Sequence, residues 1–230
     1  MLASRMRHLL DNVFWHALSG PQSHFAEGQG DARRFARGFS PIVAFVDAQR
    51  PAFDALAPFC AAGEEFYCDG WSGAAPPGWA ILRESTMLKM LYEGELPPSD
   101  EAPDALPLRA EHAPQTLALA ELTHPGPFGL RTLELGDYFG YFEGGQLIAM
   151  AGERSFAGAL REVSGICTHP QFQGRGLARR LTAKLIRRQM LRGETPFLHV
   201  MRDNEGARAL YRRMGFRDYK ESAVRVIGRS

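Results

Sequence analysis

The chain has 230 residues, of which 45% are hydrophobic and 23% charged, and its formal net charge is +1. This composition is typical of a soluble globular protein with one large domain or two small ones. No apolar run approaches the ~20 residues that a membrane-spanning helix needs, and the start of the chain lacks the apolar core of a secretory signal. The three cysteines form no CxxC pair, which disfavours a disulfide framework or a cysteine zinc site and predicts a reducing, cytoplasmic location.

The first half of the chain predicts a small α/β unit. Its signals alternate in chain order: a strand at 41–47, a helix at 51–63 that opens with proline and ends with glycine, and strands at 64–70 and 78–84. A stretch rich in proline and acidic residues, 94–114, predicts a linker. We therefore expect an N-terminal half over residues 1–107 and a second domain over residues 108–230.

The second half carries clearer signals. The predicted elements follow in this order: a helix at 114–123, a hairpin over 138–152 with its turn at 143–146, a strand at 161–168, a helix from 177 to 192, a strand at 195–201, a helix from 205 to 214 and a last strand from 216 onward. Leu177, Leu181 and Leu185 share one face of the longest helix. This order predicts a mixed sheet with helices packed on its faces.

The stretch QFQGRGLARRL, residues 171–181, places two glycines between a predicted strand and a helix. The first four amides of a helix have no internal partner, and the helix dipole adds partial positive charge there. Glycines let an anion approach the backbone closely, so the stretch suits a pyrophosphate, although a tight turn alone explains a lone GxG equally well. Arg179 stands where a dinucleotide-binding GxGxxG needs glycine, and no GK[ST] follows, so neither of those two motifs is present.

Two motifs together carry a family resemblance. Gln173, Gly176 and Ala178 fill the pattern Gln/Arg-x-x-Gly-x-Gly/Ala, and NEGARALYRRMGF follows at residues 204–216. This pair resembles the GCN5-related N-acetyltransferases (GNAT) and, within them, the FR47-like branch. The resemblance covers roughly the second half of the chain.

The resemblance implies an α/β (α+β) fold in which a mixed, mostly antiparallel sheet flanked by helices contains a splayed parallel strand pair. Acetyl-CoA, as a cosubstrate, would lie between those two strands. Its pantetheine arm would bond to the backbone of one of them and its pyrophosphate to the glycine loop. Asn204 would cap its helix, contact pantetheine, or do both. The residues so expected to bind acetyl-CoA are Ile166, Cys167, Thr168, Gln173, Gly174, Arg175, Gly176, Leu177, Ala178, Arg179 and Asn204.

The resemblance also implies a reaction: direct transfer of an acetyl group to a primary amine of a small molecule or amino acid. Tyr211 matches the family's general acid, although its helical spacing fits a core aromatic equally well. Glu162 is the candidate base, acting through water, or else an exposed carboxylate at a strand end. Glu153 is the reserve candidate, and an amine that arrives partly neutral needs no dedicated base. Cys167 is expected to be a small buried residue, with acyl transfer through a cysteine left as an alternative.

Several alternatives stay open. The break at residues 124–128 is expected to shape the acceptor pocket, with Arg131 meeting a carboxylate. No metal-binding spacing is present, so no metal is expected. The basic helix after Gly176 lacks interleaved aromatic residues, which disfavours nucleic acid as a partner. A non-catalytic CoA-binding module, transfer of a longer acyl group, and a monomeric or homodimeric state all remain compatible with the sequence. The first half is interpreted as a degenerate copy of the same fold or as an unrelated lid.

Overall fold

The structure, a computed structural model, describes residues 7–229. Within these residues, one sheet of eleven strands has the spatial order β1-β2-β3-β4-β11-β5-β10-β9-β8-β7-β6. The strands are β1 Ala26–Glu27, β2 Ala32–Phe35, β3 Ile42–Phe45, β4 Glu65–Asp69, β5 Trp79–Tyr92, β6 Leu106–Pro107, β7 Tyr138–Glu143, β8 Gln146–Ala157, β9 Leu160–Thr168, β10 Thr195–Met201 and β11 Phe216–Arg229. The helices are α1 Val13–Leu18, α2 Phe53–Leu56, α3 Ala113–Thr123, α4 Leu177–Leu191 and α5 Glu205–Arg213.

The predicted fold class is confirmed: the sheet is mixed and mostly antiparallel, and helices flank it. In the described part of the chain, two strand pairs are parallel, β3 with β4 and β9 with β10. The helix predicted at 51–63 is wrong in length, since α2 is followed by a short 3-10 helix, Ala57–Phe59. Pro58 lacks the amide that would continue the α-helical hydrogen bonds.

The two halves of the chain share the sheet. β5, from the first half, lies between β10 and β11 and pairs antiparallel with both. Its pairing with β11 runs from Phe216 opposite Tyr92 to Arg229 opposite Trp79. The sheet is therefore continuous across the residue 107/108 boundary.

The two parallel pairs have similar surroundings in the sheet. β4 is flanked by β3 and β11, and β10 is flanked by β9 and β5. Each half thus contributes its last long strand to the other half: β11 pairs with β4, and β5 pairs with β10. This reciprocal exchange supports the interpretation of the first half as a degenerate copy, which stays a proposal.

The two faces of β10 pack against different parts of the chain. Leu198 and Val200 face a core that contains Tyr211 of α5. Phe197 faces the opposite core, which contains Phe14 of α1. Because side chains alternate along a strand, this arrangement assigns α5 to one face of the sheet and the N-terminal helix to the other.

The predicted linker lies along α4. Its carboxylates pair with the cations of that helix, as in the 2.7 Å bridge from Arg180 to Asp104, while Arg187 donates to the carbonyl of Pro97. Other acidic residues pair with the rest of the basic positions: Glu143 with Arg175, Glu101 with Arg179, Asp100 with Lys184, and Asp137 with Arg188 and Arg192. The basic face of α4 is therefore largely neutralised by the chain itself.

Candidate active site

The parallel strands β9 and β10 separate part-way along their length. They pair only at their beginnings, from Thr195 opposite Leu160 to Phe197 opposite Glu162. Beyond that point each strand continues for several residues and keeps only its outer neighbour, β8 or β5. A gap opens between them whose walls carry backbone groups free to bond to a ligand.

A bulge in β9 lies beside this gap. Met150 pairs with Cys167 and Gly152 pairs with Ser164, so β9 has one residue more than β8 in this stretch. Gly165 takes a φ of +62°, and a Cβ there would lie 3.2 Å from the Tyr138 ring. Glycine is therefore required, and the bulge turns part of the β9 backbone away from regular pairing.

The glycine loop between β9 and α4 has open space around it. Gly174 and Gly176 have φ values of +78° and +74°, and a Cβ on either would meet no atom within 4 Å. Among residues 7–229, the backbone amides from Gly174 to Arg179 donate to no acceptor, the first such bond being that of Arg180 to Gly176. Six neighbouring donors at a helix N-terminus form a suitable cradle for an anion.

A cavity of about 650 Å³, called here the loop cavity, lies against this cradle. Its walls come from the β9 backbone, the glycine loop and the start of α5. All eleven residues expected from the sequence to bind acetyl-CoA line it: Ile166, Cys167, Thr168, Gln173, Gly174, Arg175, Gly176, Leu177, Ala178, Arg179 and Asn204. Arg180, by contrast, turns away to Asp104.

A second cavity of about 230 Å³, called here the inner cavity, occupies the gap between β9 and β10. Its walls include Tyr67 and Met87, so the first half of the chain helps to build it. The two cavities meet, because they share these lining residues: His124, Pro125, Ile166, Asn204, Ala207 and Tyr211.

Tyr211 lies where the two cavities join. Its side chain packs edge-on against Phe216, with ring centroids 5.9 Å apart. Burial raises the pKa of its phenol, so the hydroxyl stays protonated at neutral pH. Asn204 begins the same helix, and its Oδ1 accepts a bond of 3.1 Å from the amide of Ala207, which shows the capping role.

A buried ionic cluster flanks the inner cavity. The guanidinium of Arg154 binds the Glu162 carboxylate through two nitrogens, at 2.6 and 3.1 Å. Nδ1 of His199 lies 2.7 Å from the same carboxylate. Burial raises the pKa of the Glu162 carboxyl, but the charge of Arg154 and the hydrogen bonds from Arg154 and His199 outweigh burial and hold the pKa well below its usual range.

Two comparisons decide the family. The FR47-like protein family model matches residues 138–226. A solved structure of a putative GNAT-family acetyltransferase from Novosphingobium aromaticivorans is 35% identical, with a TM-score of 0.85 over 96% of this chain and 98% of that one. The chain belongs to the GNAT family of acetyltransferases.

Further relatives agree with this membership. N-alpha-acetyltransferase RimI of Mycobacterium tuberculosis is 39% identical over 82 residues, which cover 34% of this chain and about half (51%) of that protein. The GCN5-related N-acetyltransferase-like protein of Streptococcus suis is 15% identical, with a TM-score of 0.60 over 100% of both chains, and so shares the fold. The structural similarity therefore extends over both halves of the chain.

The two candidate bases of this GNAT protein are both buried. Glu162 is fully buried rather than exposed at a strand end, and it lines neither cavity. Glu153 is also buried, where it binds Gln189 and Arg192. Both carboxylates are thus occupied by internal partners, and neither lines one of the two cavities.

The loop at residues 124–127 lines the inner cavity, whereas Arg131 does not. Arg131 lies on the surface with Glu134, and its guanidinium stacks over Phe39. The structure therefore locates Arg131 away from both cavities, and its contact with an acceptor carboxylate stays a prediction. Burial raises the pKa of the Cys167 thiol to about 11, which disfavours a thiolate nucleophile.

From the sequence, His199 is predicted to be a core histidine rather than a residue that faces the substrate, and neither Arg154 nor Gln22 is singled out. Gln22 is buried and donates to the carbonyl of Arg154 at 2.7 Å, where β8 bulges. His199 is stacked on Phe14, with ring centroids 5.0 Å apart. A histidine at the centre of a strand beside the gap was the one signal that the sequence offered for this cluster.

The described residues were also compared with the requirements of a membrane-spanning helix and of a metal site. None of the helices within residues 7–229 combines the length and apolar character that a membrane crossing requires. The same residues contain no group of three or more His, Cys, Asp or Glu side chains arranged to hold a metal ion.

Proposed function

We propose that the protein transfers the acetyl group of acetyl-CoA directly to a primary amine while both substrates are bound. The observation that carries this proposal is the junction of the loop cavity and the inner cavity at Tyr211. A donor in the first cavity and an acceptor in the second would meet in the gap between β9 and β10. Such a meeting point needs no covalent intermediate on the protein.

Acetyl-CoA, when bound, supplies an activated acetyl thioester and a thiol leaving group. The free amides from Gly174 to Arg179 suit its pyrophosphate, and the β9 backbone at residues 166–168 suits its pantetheine arm. Arg175 and Arg179 also line the loop cavity. Their present bonds to surface carboxylates are exposed and weak, so each is able to exchange its partner for a phosphate.

Two groups of the chain are suited to the chemistry. Tyr211 keeps its proton at neutral pH and can give it to the departing sulfur. The irregular backbone around Gly165 offers an N–H to the carbonyl oxygen as that atom gains charge.

The acceptor we propose is a small primary amine with an uncharged, apolar body. The inner cavity is lined by Met87, Val163, Val200, Met201 and Val224, together with two prolines of the 124–127 loop. Among residues 7–229, the one guanidinium that lines this cavity is that of Arg154, and it is already bound to Glu162. A carboxylate next to the amine would therefore find no free cation from these residues. A free amino acid is therefore a poorer acceptor than its amide.

A peptide α-amino group is the second candidate. A groove of about 340 Å³ continues from the inner cavity and shares Tyr67, Met201 and Val224 with it, which gives a chain room to leave. The RimI relative is named as an N-alpha-acetyltransferase, in line with this alternative. A cytoplasmic location and a monomeric or homodimeric state stay predictions.

The test is thiol release from acetyl-CoA with matched acceptors: an aliphatic amine, an apolar amino acid, its amide, and a peptide that begins with the same residue. We expect transfer to the amine and the amide and weak transfer to the free amino acid. Mass spectrometry of the product identifies the acetylated nitrogen. Propionyl- and butyryl-CoA, run in parallel, measure the acyl length that the gap accepts.

Two results would contradict the proposal in different ways. Binding of CoA by calorimetry without transfer to any amine would favour the non-catalytic module. The absence of CoA binding by a folded sample at millimolar concentration would remove the assignment of the loop cavity.

A further inference from the structure

The ring of His199 has one nitrogen engaged and one free. Nδ1 lies 2.7 Å from Oε1 of Glu162. Nε2 is buried and has no hydrogen-bond partner among residues 7–229. The side chain is only 4% exposed, and it lines the inner cavity. A buried polar atom without a partner at a cavity wall indicates a site that a ligand completes.

The hydrogen bond between His199 and Glu162 determines the tautomer of the His199 ring. Glu162 is bound by Arg154 through two nitrogens and also accepts from the amide of Ser155 at 3.2 Å, so it is held as a carboxylate. A carboxylate only accepts hydrogen bonds, hence the hydrogen between it and the ring belongs to Nδ1. The neutral ring then carries its lone pair on Nε2, which makes that atom a base.

We propose that Nε2 of His199 accepts the proton of the acceptor amine, and that Glu162 is the positioning residue that orients the ring. This inference rests on the proposed acetyl transfer and replaces Glu162 as the candidate base. His199 is the catalytic residue because it faces the acceptor, whereas Glu162 acts only through it.

The proposed base and the proposed acid lie on opposite faces of the sheet. His199 stacks on Phe14 and, like Phe197, points toward the N-terminal helix. Tyr211 packs on the other face, with Leu198. A proton removed from the acceptor on one side and a proton delivered to sulfur on the other do not compete for one group.

The proton transfers balance. An N–H bond of the ammonium breaks, its electron pair stays on nitrogen, and the proton forms a new bond to Nε2 of His199. The freed pair makes the bond to the acetyl carbon, and the carbon–sulfur bond breaks with its pair on sulfur. The hydroxyl of Tyr211 protonates that sulfur, and the second amine proton restores Tyr211. The imidazolium formed on His199 faces the Glu162 carboxylate and later returns its proton to solvent.

Four other charged side chains lie near the His199 ring, and all of them are paired within the protein. Lys89 of β5 is directly opposite His199 in the sheet and is buried with Asp69 of β4 at 2.7 Å. Arg154 comes from β8 and Glu162 from β9. Phe14 and Phe197, the aromatic neighbours, carry no charge.

The first measurement needs no catalysis. Nitrogen-15 NMR of the histidine rings in the free wild-type protein, assigned with His199→Gln, reports which ring nitrogen carries hydrogen. We expect the Nδ1–H form at neutral pH. An Nε2–H signal would overturn the proposal, because that atom would then have no lone pair to offer.

The second measurement uses activity. We expect His199→Gln, and His199→Asn as a second variant, to lower kcat/KM for the acceptor by about 100-fold at pH 7 while CoA affinity is unchanged. Raising the pH should reduce the deficit, since a neutral amine needs no base. Glu162→Gln should move the acid limb of the kcat/KM profile to lower pH, which a purely structural role would not do. The exposed His24→Gln variant is the matched control and should match wild type.

The outcomes separate this inference from the proposed function. An active wild type with an unchanged rate and pH profile in both folded His199 variants overturns only the base assignment. A wild type that binds CoA yet acetylates no amine overturns the proposed function and the assignment together.

Discussion

The two parallel strand pairs of the sheet provide an internal comparison. β3 and β4 pair in the first half much as β9 and β10 pair in the second, and each pair has a cavity at its end. The segment after β3 has Asp47 and leads to a helix of four residues. The segment after β9 has two open glycines and leads to a helix of 15 residues.

This difference favours the second half as the location of the proposed anion site. A short helix offers a weak dipole, and a carboxylate in the loop repels phosphate. The first half instead supports the site of the second: Tyr67 and Met87 line the inner cavity, and Phe14 and Gln22 hold the ionic cluster. On the proposal that the first half is a degenerate copy, the fold is repeated while the proposed anion site lies in the second copy.

The largest expected effect comes from Tyr211→Phe in the second half. Removing the hydroxyl while keeping the ring should lower kcat by about 1000-fold, because the thiolate would leave without a proton donor. CoA affinity should stay within a factor of about two, since general acid catalysis acts in the transition state. The control is Tyr219→Phe, which changes a half-buried tyrosine outside both cavities. An unchanged kcat in Tyr211→Phe would remove the assigned acid.

Glu162→Gln should produce the next largest effect, on stability. It leaves the buried Arg154 without its counter-charge, at a cost of about 3 kcal/mol in the free energy of unfolding at pH 7. Because folding lowers the pKa of Glu162, the carboxylate stabilises fully above its unfolded-state pKa of about 4.3 and less as pH falls below it. The free energy of unfolding, measured with urea between pH 3 and 7, should therefore change less with pH in the variant than in the wild type.

The first half supplies the comparison for this variant. Glu64 also has a lowered pKa, through the amide of Ala61 and Arg34 against the opposing effect of burial, yet it is partly exposed. Glu64→Gln should change the pH dependence of the free energy of unfolding less than Glu162→Gln does. Equal changes in the two variants would mean that burial of the ionic cluster does not increase the contribution of Glu162 to the pH dependence of stability.

The glycine loop allows a matched test of the two halves. Gly176→Val and Gly63→Val both place a branched residue at a positive φ, +74° and +80°, with no atom within 4 Å of the new Cβ. Their backbone strain should be similar, about 1–2 kcal/mol. Only Gly176→Val should also weaken CoA binding by calorimetry, by about 10- to 100-fold, because phosphate loses charge-assisted hydrogen bonds. Equal CoA affinity in the two variants would contradict the proposed phosphate site at the amides of residues 174–179.

The smallest effect is expected where the linker meets α4. Asp104→Asn removes the partner of Arg180 at an exposed position and should lower the free energy of unfolding by less than about 1 kcal/mol. The loss should shrink further at high salt. A large loss in thermal unfolding would show that the linker contributes more to α4 than its surface ion pairs suggest.

Much of the second half could be predicted from sequence. The strand Thr195–Met201 and the helix after Asn204 lie where their patterns indicated, because alternation, capping and glycine stops are local signals. The first 40 residues gave no comparable signal, although α1 and β2 lie there. Their short elements are stabilised by contacts with distant strands, which no local pattern records.

What the sequence determined by itself is the chemistry of the loop: Gly174 and Gly176 before a helix leave amides unpaired wherever that segment folds. Tertiary structure alone decided that β5 inserts beside β10, and that Arg154, Glu162 and His199 converge from three strands. The physical reason is the distance along the chain over which each interaction acts. Backbone conformation follows from neighbouring residues, whereas burial and ion pairing depend on segments far apart in the chain.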